Sequence, residues 1–342
     1  KGVALVYLSQ KLGDTSRYEE ALQHIARALV DDGHRLRLLA RSAHRVTSTI
    51  GALGVPAESY EVVTGDVCDP AAVDRLLEGT DALVHAAGVV GVDDRDEQMM
   101  WKVNVQATAT VLTKAVAAGL DPIVHLASYS ALFPAPTELI GPDSPPTEGR
   151  SAYARTKAAG VRIARGFQDA GAPVVVLFPS GIVGPPAGDR VGLVAEGWST
   201  LLRLGTSLKF DGGMALIDVR DVADLVPASL EPGKGPRRLV CGGEVLDFDE
   251  VVEIVSTTAG RRVRRVPVPN RLLLGLGRTV DAVSKVAPVP PVFTYEAAWL
   301  LTTAQGTDDS AALELLGRPW RSTRQALRDA TDPPSTGPSP QR

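Results

Sequence analysis

Pro122-Ile123-Val124-His125-Leu126-Ala127-Ser128 is a short apolar run that ends on a hydroxyl, and Ser151-Ala152-Tyr153-Ala154-Arg155-Thr156-Lys157 opens a helical pattern that continues to Ala170. A brief apolar run followed by an amphipathic helix is the repeating unit of a parallel sheet buried on both faces. The same alternation extends outward from this stretch. Val3–Tyr7, Arg35–Ala40, Ser59–Thr64, Ala82–His85, Pro122–Leu126 and Pro173–Phe178 read as strands, with helical patterns at Glu19–Asp31, Pro70–Leu77, Met99–Ala118 and Ala152–Ala170. Strands joined by crossover helices predict an α/β fold on a doubly wound parallel sheet. Ligands of such sheets bind at the carboxyl ends of the strands, near the point where strand order reverses.

After Phe178 the pattern loosens. Short elements rich in Gly and Pro fill Ser180 to Gly213, then Ala215–Val219 and Arg238–Cys241 read as strands. Asp247 followed by Glu250 is a capping box for a helix reaching Ala259. The expected organisation is a sheet domain over residues 1–183, a smaller lobe over 184–330 interleaved with the last strands, and a disordered tail over 331–342. The tail reading starts at Thr331, where Pro, Ser, Thr and Gly take over.

Composition narrows the function classes. The 44% hydrophobic and 22% charged fractions are those of a soluble globular protein, and the net charge of −4 offers no electrostatic footprint for nucleic acid. Cys68 and Cys241 lack metal-ligand spacing and read as buried small residues in a reducing compartment. The first strand starts within a few residues of Lys1, which leaves no room for a signal peptide, so a cytoplasmic location is expected. Leu272 to Val292 is apolar but is broken by Arg278, Asp281, Lys285 and three prolines, which excludes a membrane span and leaves a membrane-surface role as the lesser alternative. The run Arg261-Arg262-Val263-Arg264-Arg265 alternates around Val263 as the wet face of a strand would, rather than as a phosphate site.

Tyr153 and Lys157 stand four apart at the start of a helix, which puts both side chains on one face. An ammonium beside a phenol favours the ionised phenol and makes a proton donor for neutral pH. Six Tyr and eight Lys in 342 residues give about 0.14 such pairs by chance. Tyr7 and Lys11 form a second pair that serves as a control: at a strand end four residues span about 13 Å, so those groups cannot meet. Spacing alone is weak, and context must decide.

The context resembles the extended short-chain dehydrogenase/reductases, within the NAD(P)-dependent epimerase/dehydratase superfamily, over about residues 30 to 325. Gly65-Asp66-Val67 follows the third strand, where the resemblance implies that Asp66 meets the adenine amino group. His85-Ala86-Ala87-Gly88 closes the fourth strand with small residues that let the backbone approach a cofactor. Asn104, in Val103-Asn104-Val105-Gln106-Ala107-Thr108, is similar to the family's helix-four segment; a surface polar residue is the plainer alternative. Ser128 lies 25 residues before Tyr153, a separation that suits the family. By resemblance, Ser128 binds the substrate oxygen, Tyr153 exchanges its proton, and Lys157 assists Tyr153 and binds the nicotinamide ribose. Phe178-Pro179-Ser180-Gly181-Ile182-Val183-Gly184-Pro185 is similar to the segment that passes under the nicotinamide, implying contacts from Pro179, Ile182 and Val183. Asp218-Val219-Arg220-Asp221-Val222-Ala223 is similar to the segment that returns the chain to the sheet. The fold implied is Rossmann-type.

Two departures from the family pattern matter. The first strand should run into a G-x-x-G-x-x-G turn whose glycines admit a pyrophosphate at the helix N-terminus. Between Leu8 and Leu22 the only glycine is Gly13, and anchoring on His24 to Leu29 puts Ser16, Glu19 and Leu22 at the three glycine positions, with the segment about eight residues too long. Glu19 would bring a carboxylate toward a phosphate and Leu22 would push the helix off the sheet, although Ser16 with Glu19 makes a capping box. A remodelled loop, loss of cofactor binding and an inauthentic stretch of sequence all remain open. The second departure is Tyr129, which follows Ser128 where sugar-nucleotide dehydratases carry an acid. With Ala131-Leu132-Phe133-Pro134 it brings the pattern nearer to the hydroxysteroid dehydrogenase and dihydroflavonol reductase branch.

Leu39-Ala40-Arg41-Ser42 ends the second strand without the acid that NAD-preferring members place there. Arg41 can bridge a 2′-phosphate and stack on adenine, which favours NADP(H) over NAD(H); a surface arginine is the plainer alternative. The sequence therefore predicts an NAD(P)(H)-dependent oxidoreductase that interconverts a ketone and a secondary alcohol on a small, largely apolar substrate. Its pocket would be lined by Gly184 to Leu208 and the smaller lobe. A sugar-nucleotide epimerase with tightly held NAD is one rival, and a non-catalytic binding protein with a decayed nucleotide site is another. The resemblance implies a homodimer formed through Met99–Ala118 and Ala152–Ala170.

Overall fold

The computed structural model describes residues 2–6, 16–90, 97–186, 198, 201–284 and 295–331. In chain order the strands are β1 (Gly2–Val6), β2 (Arg35–Ala40), β3 (Tyr60–Thr64), β4 (Ala82–His85), β5 (Ile123–Leu126), β6 (Val174–Pro179), β7 (Gly181–Val183), β8 (Thr206–Lys209), β9 (Gly213–Asp218), β10 (Arg237–Cys241), β11 (Glu244–Asp247) and β12 (Arg264–Pro267). Seven of them form one parallel sheet in the order β10-β6-β5-β4-β1-β2-β3. Strand order reverses between β1 and β4, which places a ligand crevice at their carboxyl ends. Two small sheets, β11-β9-β7 and β12-β8, complete the described strands.

Strand side chains alternate between the two faces, and both faces are dry. Val174, Val176 and Phe178 of β6 enter one core cluster and Val175 and Leu177 the other. The first cluster is covered by α3 (Pro70–Leu77), α5 (Thr108–Ala117) and α6 (Ala152–Asp169), through Leu76, Val111 and Val161 among others. The second is covered by α1 (Ser16–Asp31), α2 (Ala43–Ala52) and α7 (Val219–Ala228), through Ile25, Ile50 and Leu225. Local chemistry sets the helix starts. Ser42, Asp69, Ser151 and Asp218 accept backbone N–H groups at the openings of α2, α3, α6 and α7, and Pro70 occupies a position where no N–H is required.

Several expectations change in detail. α2 was not predicted: its apolar face is only Val46 and Ile50, four apart, among Ser and Thr. The single helix expected over Met99–Ala118 is three consecutive pieces: α4 (Glu97–Met100), a π-helical segment (Trp101–Ala107) and α5. α1 starts at Ser16 rather than Glu19, although the side chains of the expected Ser16–Glu19 box fall outside the described residues. Leu22 does not lever this helix away; it is buried in the cluster that also holds Val3, Leu5 and Leu36. β12 begins at Arg264, so Arg261 and Arg262 precede the strand instead of lying along it. Cys68 is only half-buried, unlike Cys241. Thr331 closes a helix over Thr323–Thr331, where its hydroxyl donates to the Leu327 carbonyl at 2.7 Å; the rest of the expected tail lies outside the described residues.

Candidate active site

β4 ends at His85 and hands the chain to Ala86, Ala87, Gly88 and Val89, all buried, at the carboxyl edge of the sheet. Asn104 fixes this exit. Its side-chain oxygen accepts from the Val89 N–H at 2.7 Å, and its amide donates to the Val89 carbonyl at 2.9 Å and to Thr156 Oγ1 at 3.1 Å. One buried amide thus ties the β4 exit to α6. The π-helical turn around Asn104 is the kind of widened turn that often marks a functional site. Its close crossing with α6 depends on Gly160, where an added Cβ would sit 3.0 Å from the Asn104 carbonyl oxygen. Asn104→Leu would strand the buried Val89 N–H and carbonyl. It should cost about 2–4 kcal/mol, measured as a lower urea midpoint with an unchanged slope.

Across from this exit, β5 ends at Leu126, and Ser128 caps the short turn Tyr129–Ala131. Ser128 Oγ accepts from the Ser130 N–H at 3.3 Å and lies 2.9 Å from Ser130 Oγ. α6 packs against this turn and brings Tyr153 and Lys157 to the same edge. Lys157 Nζ lies 5.9 Å from the Tyr153 ring centroid, so the pair shares one helix face. Lys157 is 4% exposed, and burial pushes its ammonium down to about 8. The first turn of α6 is held by Ser151 at its cap and by Arg155, which pairs with Glu97 at 2.8 Å. Tyr129 packs beside them; burial, then the neighbouring Tyr153, pushes its phenol up to about 12. A second, un-ionised phenol therefore borders the site directly after Ser128.

Gly88 faces Lys157 directly: a Cβ there would lie 3.0 Å from Lys157 Nζ and 3.5 Å from Asn104 Oδ1. Bare backbone at this point leaves the ammonium room beside the β4 exit. Beneath it lies a feature that the sequence reading missed. His85 and His125 are register partners on β4 and β5, buried, with rings stacked at 5.2 Å and 19°. His85 Nε2 meets Thr108 Oγ1 at 2.9 Å. Burial, reinforced by Lys157, pushes His85 down to about 3, and burial with His85 and Lys157 pushes His125 well below its ordinary value. Both imidazoles are therefore neutral. Histidines at aligned positions of adjacent buried strands are the signal that could have found them.

The other expected cofactor residues lie along the same edge. Arg41 is exposed just after β2, next to the Ser42 cap of α2. Asp66 follows β3, and its Oδ1 accepts from the Cys68 N–H at 2.9 Å, with Val67 buried beside it. Pro179 ends β6, while Ile182 and Val183 form β7. The glycine-poor stretch, including the control pair Tyr7 and Lys11, lies outside the described residues from 7 to 15, as does most of the expected pocket between Gly184 and Leu208. α1 reaches the segment after β7 through His24 Nε2, 3.2 Å from the Pro185 carbonyl oxygen. Among the described residues there is no cluster of metal-ligating side chains, and no helix is long and apolar enough to cross a membrane.

This edge belongs to a known architecture. The model of the NAD dependent epimerase/dehydratase family matches residues 23–242. The chain is a member of that family. It is an NAD(P)-dependent oxidoreductase of the extended short-chain dehydrogenase/reductase type. Sterol demethylase protein B of Methylococcus capsulatus is 27% identical over 318 residues, covering 90% of this chain and 93% of the relative. The 2-alkyl-3-oxoalkanoate reductase of Stenotrophomonas maltophilia is 30% identical over 254 residues, covering 70% and 72%. The crystal structure of gox2253 superposes with a TM-score of 0.74 over 96% of both chains at 22% identity, a likeness of fold.

Proposed function

We propose that this family member reduces a ketone to a secondary alcohol, and runs the reverse oxidation, on a small and largely apolar substrate. The observation that carries the reading is the placing of Ser128, Tyr153 and a buried Lys157 on one edge of the sheet, with Lys157 Nζ 5.9 Å from the tyrosine ring. Hydride arriving at a carbonyl carbon leaves charge on its oxygen, which calls for a hydrogen-bond donor and a proton at that moment. Ser128 would donate to this oxygen, Tyr153 would deliver the proton, and Lys157 would hold the tyrosine in place. The names of the two relatives, a sterol demethylase protein and an alkyl-oxoalkanoate reductase, favour an apolar substrate. Tyr129, un-ionised beside Ser128, suits reduction better than dehydration.

The residues at the reacting end fit a nicotinamide cofactor, because Gly88 leaves bare backbone against Lys157 and Asn104. When bound, the cofactor supplies the hydride. Lys157 and Tyr153 would hold its ribose, Ala86, Ala87 and Gly88 would line its approach, and Pro179, Ile182 and Val183 would floor the ring. Asp66 and Val67 would meet the adenine, and exposed Arg41 would pair with a 2′-phosphate, giving a preference for NADP(H). The test is titration of the purified chain with NADPH and NADH, followed by fluorescence. NADPH is expected to bind more tightly, and Arg41→Ala should weaken NADPH about tenfold while leaving NADH unchanged. Absence of binding of either nucleotide at millimolar concentration would sink the reading.

A further inference from the structure

Residues 261–280 contain six arginines, four leucines and no acidic side chain, in a chain whose net charge is −4. The structure shows where these groups point. Arg264 and Arg265 open β12, and the helix Asn270–Ser284, here α9, follows three residues after the strand ends. Arg265 is pinned inward by Asp249 at 3.2 Å and Glu253 at 3.5 Å. Arg261, Arg262, Arg264 and Arg271 are exposed and have no carboxylate partner among the described residues. α9 packs on the core through Leu273 and Leu274, against Phe210 and Ala298, and Arg278 lies over the Tyr295 ring at 4.9 Å. Leu272 and Leu276, one turn apart, are turned outward and are 60% and 49% exposed.

A second apolar group joins this surface from elsewhere in the chain. Leu204, 63% exposed, precedes β8, the parallel partner of β12, and the Arg264 N–H donates to the neighbouring Gly205 carbonyl at 2.9 Å. Exposed leucines set among unneutralised arginines are the pattern of a segment that lies in the interface plane of a bilayer: the leucines enter the acyl boundary and the guanidinium groups stay at headgroup depth. Folding would ordinarily bury such leucines, and a protein partner recognised by apolar contact would not require four exposed cations of one sign.

We infer that the β12–α9 surface docks this protein on an anionic lipid bilayer. The occupant follows from charge complementarity: every charge in residues 261–280 is positive, and the first acid of the helix is Asp281, near its end. The inference draws its purpose from the proposed apolar substrate, which a membrane would hold and concentrate. Its measurement is independent of that reading, because it uses neither nucleotide nor substrate.

The experiment is co-sedimentation of the full chain with phosphatidylcholine vesicles, with and without phosphatidylglycerol, at low and high salt. Partitioning is expected onto the phosphatidylglycerol vesicles, at least about tenfold stronger than onto phosphatidylcholine alone and lost at high salt. Two surface variants separate the contributions: Arg261→Ser with Arg262→Ser and Arg264→Ser, and Leu272→Ser with Leu276→Ser. Each should weaken partitioning about tenfold or more while leaving nucleotide binding unchanged. The inference is overturned if the unmodified chain ignores anionic vesicles, or if both variants bind as it does. It is equally overturned if the chain is a dimer that the leucine variant converts to a monomer, since a second copy would then cover this face.

Discussion

Tyr153→Phe is expected to lower turnover by about a thousandfold or more, with nucleotide affinity changed by no more than about twofold. The substitution deletes one hydroxyl and keeps the ring, so the helix start and its packing survive. Ser151 still caps α6, and Arg155 still pairs with Glu97. What is lost is the only group of the proposed trio able to deliver a proton to the developing alkoxide. Ser128 accepts from Ser130 in both of its hydrogen bonds, which leaves its O–H free to donate to the carbonyl oxygen, but an alkyl alcohol is too weak an acid to surrender that proton. Lys157 keeps its charge at neutral pH, since burial pushes it down only to about 8, and it is buried close against Gly88. Tyr129 is near enough to Tyr153 to be affected by it, yet its phenol is pushed up to about 12 and is a weak acid for the task. Turnover measured with saturating nucleotide, alongside a fluorescence titration, separates chemistry from binding. Equal turnover in the variant would remove Tyr153 from the mechanism and leave the oxidoreductase reading to rest on other residues.

How much of this site was legible in the sequence depends on the kind of residue. Tyr153 and Lys157 are four apart on one helix, a local relation that survives any detail of the fold, and Ser128 was placed by the apolar run that ends just before it. Asn104 was legible only by resemblance, and its plainer alternative, a surface residue, is excluded by its burial and its three hydrogen bonds. Its partners, Val89 and Thr156, stand 15 and 52 residues away, so no spacing rule could reach them. The π-helical segment was hidden for a related reason: its residues share the apolar periodicity of an ordinary helix, and the widening is stabilised by tertiary bonds.

The fold itself was legible wherever burial was two-sided. Ala82–His85 and Arg35–Ala40 were read to the residue because short segments dominated by buried apolar side chains, interrupted only by His85 and by Arg35 and Arg37, fit a strand of a parallel sheet. α2 was missed because it buries little, and a helix whose apolar face is two residues leaves almost no period to detect. Leu22 shows the opposite failure. A large residue at an expected glycine position looked like an obstruction, but here it belongs to the core under α1, so the departure from the family pattern is built into the packing and not merely tolerated.

The buried histidines give the second large expected effect, a loss of stability in acid. An unfolded chain titrates histidine near pH ~6.5, whereas His85 in the fold is pushed down to about 3 by burial, then by Lys157. The folded value is depressed, so between these limits the unfolded chain takes up a proton that the native protein refuses. Stability from this site is therefore fully present above pH ~6.5 and is lost as pH falls, at about 1.4 kcal/mol per pH unit. Between pH ~6.5 and 5 that is about 2 kcal/mol from His85 alone, and His125, lowered by burial, His85 and Lys157, adds to the slope in the same direction. The groups facing the pair offset the penalty only in part: a hydrogen bond to the His85 backbone raises His125, but burial outweighs it. Thr108 offers His85 a hydroxyl and Lys157 offers a like charge, and neither Nδ1 has a partner among the described residues. Urea unfolding from pH 8 to 5 should show this slope, and His85→Gln, which can still meet Thr108, should be shallower by about one proton. If that variant proves too unstable to measure, the imidazole carbon resonances of the unmodified protein carry the test. They should stay at their neutral positions down to the pH at which the protein unfolds. Resonances that titrate near pH ~6.5 in the folded protein, or parallel slopes in the two proteins, would show that the pair is not held neutral.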